Sequence, residues 1–170
     1  MFLQASQLEH QQLISLEPRQ PIGKVDELVF DPASGRLLAL GVRPHGWFVA
    51  KKFLAAGDIL GTEPGFVITR KNDDLATLEH LPRVAETLKK RTRILKKAAR
   101  TESGEKLGVV VDVLLETERW QITKYYLRSF FAERILPAED VHSITRRAVI
   151  FFDRVNQPGG VITAPEVATP

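Results

Sequence analysis

The chain has 170 residues, 44% hydrophobic and 26% charged, an ordinary balance for a globular fold. It contains no cysteine, which excludes disulfides, thiol catalysis and cysteine-ligated metals. The net charge of +3 is unevenly placed: residues 1–80 and 101–170 each hold 8 Lys/Arg against 10 Asp/Glu, whereas residues 81–100 hold 8 against Glu86 alone, so all the net basicity falls in one short segment.

In chain order, residues 11–16 alternate apolar and polar and read as a first strand. Glu17-Pro18-Arg19-Gln20-Pro21 is expected to break it, because two prolines remove backbone donors. A second strand over 22–30 leads into Asp31-Pro32-Ala33-Ser34-Gly35, a hairpin turn, and a third runs from 36 to 42. After Pro44-His45-Gly46, residues 47–54 form a fourth strand in which Lys51 and Lys52 bulge or face solvent. Residues 55–58 suit one helical turn, and 59–61 with 66–69 make a closing hairpin around Pro64-Gly65.

Leu75, Leu78, Leu81, Val84 and Leu88 then recur at helical spacing, and Pro82 restricts the helix to a start at 82 or 83 and an end near Arg91. From Ile94 the chain returns to strand. Residues 156–170, short of apolar positions and punctuated by proline, are expected to form a disordered or loosely draped tail.

The central feature is a repeat. Ile22-Gly23-Lys24-Val25-Asp26-Glu27-Leu28-Val29-Phe30-Asp31 returns 85 residues later as Leu107-Gly108-Val109-Val110-Val111-Asp112-Val113-Leu114-Leu115-Glu116. The same offset places Leu16-Glu17 on Thr101-Glu102, and Leu37, Leu40 and Val42 on Ile122, Tyr125 and Leu127. A three-residue shortening near Ser129 changes the offset to 82, which aligns Phe53-Leu54 with Ile135-Leu136, Ala56 with Ala138, Asp58 with Asp140, and Val67-Ile68 with Val149-Ile150. The expected fold is mainly β: two tandem small antiparallel barrels, each with its own modest core, over 1–74 and 93–155, joined by a basic, partly helical linker over 75–92.

Ser103 to Leu114, followed by Arg134-Ile135-Leu136-Pro137-Ala138-Glu139-Asp140-Val141 and an apolar strand, resembles the PRC-barrel family. That family takes its name from the cytoplasmic part of the photosynthetic reaction-centre H subunit, and a related barrel forms the C-terminal half of the ribosome maturation factor RimM. The resemblance spans about 60 residues of the second unit and, more weakly, about 60 of the first, where Leu54-Ala55-Ala56-Gly57-Asp58-Ile59 lacks the proline and first acid of its counterpart. It implies a non-enzymatic binding or assembly scaffold. The membrane helix of the reaction-centre subunit and the N-terminal domain of RimM have no counterpart here, so neither photosynthetic nor ribosomal work follows from it.

Candidate chemistry is sparse. His10, His45, His80 and His142 share no ligand spacing, no phosphate loop or nucleophile elbow is visible, and neither catalytic residues, metal nor cofactor is expected. Glu27 and Asp112 occupy equivalent strand positions, where paired acids could do acid–base work or serve a duplicated structural role, such as pairing with a neighbouring base or breaking an exposed edge. Arg83, Lys89, Lys90, Arg91, Arg93, Lys96, Lys97 and Arg100 form the candidate binding segment, whether as solvated linker, contact for an acidic protein or for the barrels' own acidic faces, or phosphate contact for RNA, a ribosome or anionic lipid. Among the aromatics Trp47, Phe48, Trp120, Tyr125, Tyr126, Phe130 and Phe131, the last two are adjacent in a loop, where one can face a partner. The partner expected is another protein, with no small-molecule substrate. The start of the chain does not read as a signal peptide, no stretch approaches a membrane span, and a cytoplasmic protein not bound to a membrane surface is the expectation.

Overall fold

A computed structural model describes residues 1–46 and 49–156. The predicted tail, apart from Asn156, and the aromatics Trp47 and Phe48 lie outside them. In chain order the strands are β1 (Phe2–Gln4), β2 (Gln12–Glu17), β3 (Arg19–Phe30), β4 (Leu37–Pro44), β5 (Lys52–Ala55), β6 (Gly61–Glu63), β7 (Phe66–Lys71) and β8 (Leu75–Ala76). Helix α1 (Pro82–Lys90) intervenes before β9 (Ala98–Thr101), β10 (Lys106–Glu116), β11 (Gln121–Arg128), β12 (Glu133–Pro137), β13 (Val141–Ile144) and β14 (Ala148–Phe151). Pro82 opens α1, where its missing donor costs nothing, and Arg91 ends it in the left-handed conformation.

The strands form two seven-stranded sheets that repeat one order. The first runs β6-β7-β2-β3-β4-β5-β8, and the second runs β13-β14-β9-β10-β11-β12 with β1 added to β10. Both are mixed, correcting the antiparallel expectation, because β2–β7 and β9–β14 are parallel. In each copy a three-residue 3-10 turn, Ala56–Asp58 or Ala138–Asp140, carries the chain onward, and the hairpin after it brings the last strand back alongside the first in the same direction.

The copies agree in their irregularities as well as their strands. On β3 the register slips between Pro21 and Gly23, between Val25 and Glu27, and between Val29 and Phe30; on β10 it slips between Lys106 and Gly108, Val110 and Asp112, and Leu114 and Leu115. Each slip lies 85 positions from its counterpart. Such bulges re-aim side chains and set local twist, so their repetition marks one architecture used twice. The buried positions match accordingly: Val25 with Val110, Leu37 with Ile122, Leu40 with Tyr125, Val42 with Leu127, Leu54 with Leu136 and Val67 with Val149.

Several local expectations are corrected. Pro21 lies inside β3, where its register slip accommodates the missing donor, so the prolines do not break the hairpin. The hairpin between the first two strands is one residue longer in the first copy, making the offset there 86. Leu13 therefore matches Ala99 and Ser15 matches Thr101, while Leu16 is 44% exposed and is not the counterpart of buried Thr101. A one-residue slip exchanges the two faces of a strand, which explains why an apolar residue points outward there. Residues 94–97 are irregular, with a turn at Leu95–Lys96 and Lys96 at positive φ, and strand resumes only at Ala98. The fourth strand begins at Lys52, and Leu75–Ala76 in the predicted linker pair with β5.

The sheets are also joined to each other. Leu37 N donates to the Trp120 carbonyl at 2.8 Å, and Ile122 N donates to the Gly35 carbonyl at 3.2 Å, with Arg36 opposite Gln121. Since Leu37 corresponds to Ile122 and Gly35 to Trp120, each copy offers the other the same turn, as in a two-fold dimer interface. Instead of two separate cores, one buried cluster runs from Leu13, Val25 and Leu40 through Trp120 and Tyr125 to Phe151. A smaller cluster of Val29, Ala39, Phe53 and Val84 lies under α1.

Candidate docking site

The two repeat-equivalent acids hold equivalent segments. Asp112 accepts hydrogen bonds from the Ser6 amide at 3.1 Å and from the Ser6 hydroxyl, holding the segment that leads into β2 against β10 of the other copy. Glu27 accepts from the Arg93 guanidinium at 2.9 Å, holding the segment that leads into β9 against β3. The lead-in of each copy is thus clasped by the other. Lys51 reaches both Asp26 and Glu27 at 3.0 Å, and these two acids outweigh its burial and raise its pKa above the ordinary lysine value. Glu27 and Asp112 are therefore 66 and 106 residues from the groups they hold, and both sit in structural clasps.

The basic segment is largely spent inside the fold. Arg83 pairs with Asp31 at 3.1 Å, Lys90 with Glu86 at 2.6 Å, and Arg93 with Glu27. Lys97 is only 9% exposed and donates to the carbonyls of Thr145, Arg146 and Arg91 at 2.7, 3.1 and 3.4 Å. Burial without a carboxylate partner lowers its pKa below the ordinary lysine value. Of the eight predicted cations, Lys89, Arg91, Lys96 and Arg100 stay exposed with no carboxylate partner among the described residues. The charge run in the sequence thus overstates the charge offered to phosphates.

Phe130 and Phe131 are both fully exposed, at 102% and 100%, where the sequence led us to expect one. The cause is the short connection between β11 and β12: four residues, against seven between β4 and β5. Ser129 N donates to the Ala132 carbonyl at 2.9 Å and Ala132 N to the Ser129 hydroxyl at 3.2 Å, closing the loop so tightly that neither ring can turn back to the core. The ring centroids are 6.5 Å apart and tilted by 53°.

Phe130 borders a groove of about 570 Å³ floored by Ala98, Ala99, Gly108, Val109 and Val111, with Arg100, Lys106 and Arg128 at its rim. Val109 and Val111 are 41% and 38% exposed. The first copy is an internal control. Where the second has Ala98, Val109 and Val111, the first has Gln12, Lys24 and Asp26, and Asp26 there pairs with Arg43 at 3.1 Å. The same backbone therefore carries a polar face in one copy and an apolar face in the other, so the fold does not require the apolar one. Comparing the outward positions of the two repeats would have revealed this face from the sequence alone.

No family model matches the chain, and no curated protein matches it. Among the described residues no group of three or more His, Asp or Glu converges at metal-binding distance, and no helix is long and apolar enough to cross a membrane.

Proposed function

We propose that this chain is a non-enzymatic, PRC-barrel-type docking module in the cytoplasm: two small barrels built as an internal dimer, whose second copy binds a partner protein as an assembly scaffold. The observation that carries the reading is the exposed pair Phe130–Phe131 beside the Val109–Val111 groove, on a face that is polar in the first copy. Burying one such phenylalanine is worth about 1.5–3 kcal/mol, so the two rings together with the valines supply enough free energy for a specific complex. Arg100 and Lys106 at the rim favour an acidic surround on the partner and set the approach, whereas Arg128 is already paired with Glu133 at 2.8 Å.

The test is a pull-down from the native host at moderate salt, with and without nuclease, comparing the wild type with Phe130→Ser/Phe131→Ser. A partner that survives nuclease and is lost from the double variant supports the reading. Capture that nuclease abolishes, or that the double variant retains, overturns it, and nuclease sensitivity favours RNA contact through Lys89, Arg91, Lys96 and Arg100.

A further inference from the structure

The two copies differ in what covers the outer face of their sheets. On the first sheet α1 lies over the face turned away from the shared core, where Leu81, Val84 and Leu88 pack with Val29, Ala39 and Phe53. The repeat carries those three sheet residues onto Leu114, Lys124 and Ile135, and their pairing agrees: Val29 lies opposite Ala39 as Leu114 lies opposite Lys124. Among the described residues no second α-helix covers this matching face, and Leu114 and Ile135 are partly exposed and Lys124 exposed.

The uncovered face forms one continuous trough. Val111 and Arg128 line both the groove beside Phe130 and a second hollow of about 420 Å³ that reaches Tyr126 and Ile135. The trough therefore crosses β9, β10, β11 and β12, about 14 Å at the usual strand spacing. A helix of nine residues, the length of α1, spans about the same distance. Compared with the seat of α1, the apolar surface is displaced toward Val109 and Val111, because Lys124 stands where the first copy has buried Ala39.

Charge defines the complement. On the first sheet α1 brings Arg83 to Asp31 at 3.1 Å, a helix cation on a sheet acid. On the second sheet the signs reverse: Arg100, Lys106 and Lys124 are exposed with no carboxylate within ion-pair distance among the described residues. The two acids lining the trough are already engaged, Glu133 by Arg128 at 2.8 Å and Asp112 by Ser6. A helix lying here is favoured by acids along its flanks.

We propose that the partner protein docks through a single amphipathic α-helix, apolar at the spacing of Leu81, Val84 and Leu88 and acidic on its flanks, seated across Val109, Val111, Tyr126 and Ile135. This names the partner element for the docking reading above and rests on it. The first copy carries its own covering helix, and the second takes one from another chain.

The probe is an acetylated, amidated peptide of alanine and glutamate carrying leucines at the spacing of Leu81, Val84 and Leu88, titrated into the full ¹⁵N-labelled chain. Saturable shifts are expected at Val109, Val111, Tyr126 and Ile135, with a gain of peptide helix by circular dichroism. A proline at the peptide's centre weakens binding by more than about tenfold, and lysine in place of glutamate by about tenfold. Val111→Asp and, separately, Ile135→Lys each weaken binding by at least about tenfold, while each variant keeps the wild-type spectrum away from the trough. No saturable shifts at millimolar peptide, binding indifferent to both variants, equal binding by the proline peptide, or the same shifts from self-association without peptide would each overturn the helix seat. The titration uses no native partner, so its failure is read apart from that of the pull-down: equal binding by the proline peptide removes the helix and leaves the Phe130 face as a docking surface.

Discussion

Gly35 and Trp120 stand at the same place in two copies of one turn, and both hold a positive φ, 70° and 54°. Gly35 does so without steric cost, whereas Trp120 accepts the left-handed conformation to place an indole that is 8% exposed in the shared core. A Cβ at Gly35 would find no atom nearer than 3.4 Å, so Gly35→Ala is resisted by backbone conformation alone and should cost about 1 kcal/mol. Trp120→Gly relieves that strain but opens a cavity, for a net loss of about 2–4 kcal/mol. Urea unfolding of the two variants should give this order.

The clasps predict a local effect distinct from a global one. Asp112→Ala removes the acceptor for both the Ser6 amide and hydroxyl and should cost about 1–3 kcal/mol, with faster hydrogen exchange concentrated in residues 2–7. Glu27→Gln should cost less, about 0.5–1 kcal/mol, because its partners Arg93 and Lys51 are 76% and 38% exposed.

Asp31 gives the acid limb of stability. Burial raises its pKa, but the Ser34 hydroxyl, the Ala33 amide and the Arg83 charge outweigh burial and hold it below the ordinary 3.8. A carboxylate with a lowered folded pKa stabilises above its unfolded value and loses that contribution as pH falls through the folded one. The stability gap between wild type and Asp31→Asn should therefore be full at neutral pH and close below 3.8, as followed by urea midpoints.

Tyr125 gives the alkaline limb. Burial pushes its phenol well above the ordinary 10.0, so its contribution is intact below that pH and is lost as the unfolded chain ionises above it. Tyr125→Phe should flatten the fall in stability that sets in near pH 10.0 and continues above it.

The repeat was legible because buried apolar positions and bulges recur together: Val25 and Val110, or Leu40 and Tyr125, keep register across turns. The helix from Pro82 was legible through its proline and leucine spacing. What a linear reading missed depends on distance. β1 is a three-residue strand with no periodicity, and its partner lies 110 to 114 positions away at Leu114–Glu116. The charge run allowed pairing with the chain's own acidic faces, but it does not disclose which acids Arg83 and Arg93 find, 52 and 66 residues upstream, nor that Lys97 is held by carbonyls. Adjacent phenylalanines suggested one exposed ring, because a strand alternates; the tight loop from Ser129 to Ala132 frees both from that rule.

The most direct measurement rewrites the second copy's face as the first copy's. Val109→Lys/Val111→Asp installs the residues that the same backbone already carries at Lys24 and Asp26, with Arg128, at the position of Arg43, shared between Glu133 and the new acid. Partner capture by this variant should fall to the level of the Phe130→Ser/Phe131→Ser chain, with the unfolding midpoint within about 1 kcal/mol of wild type. Undiminished capture by the folded variant would contradict docking through this face.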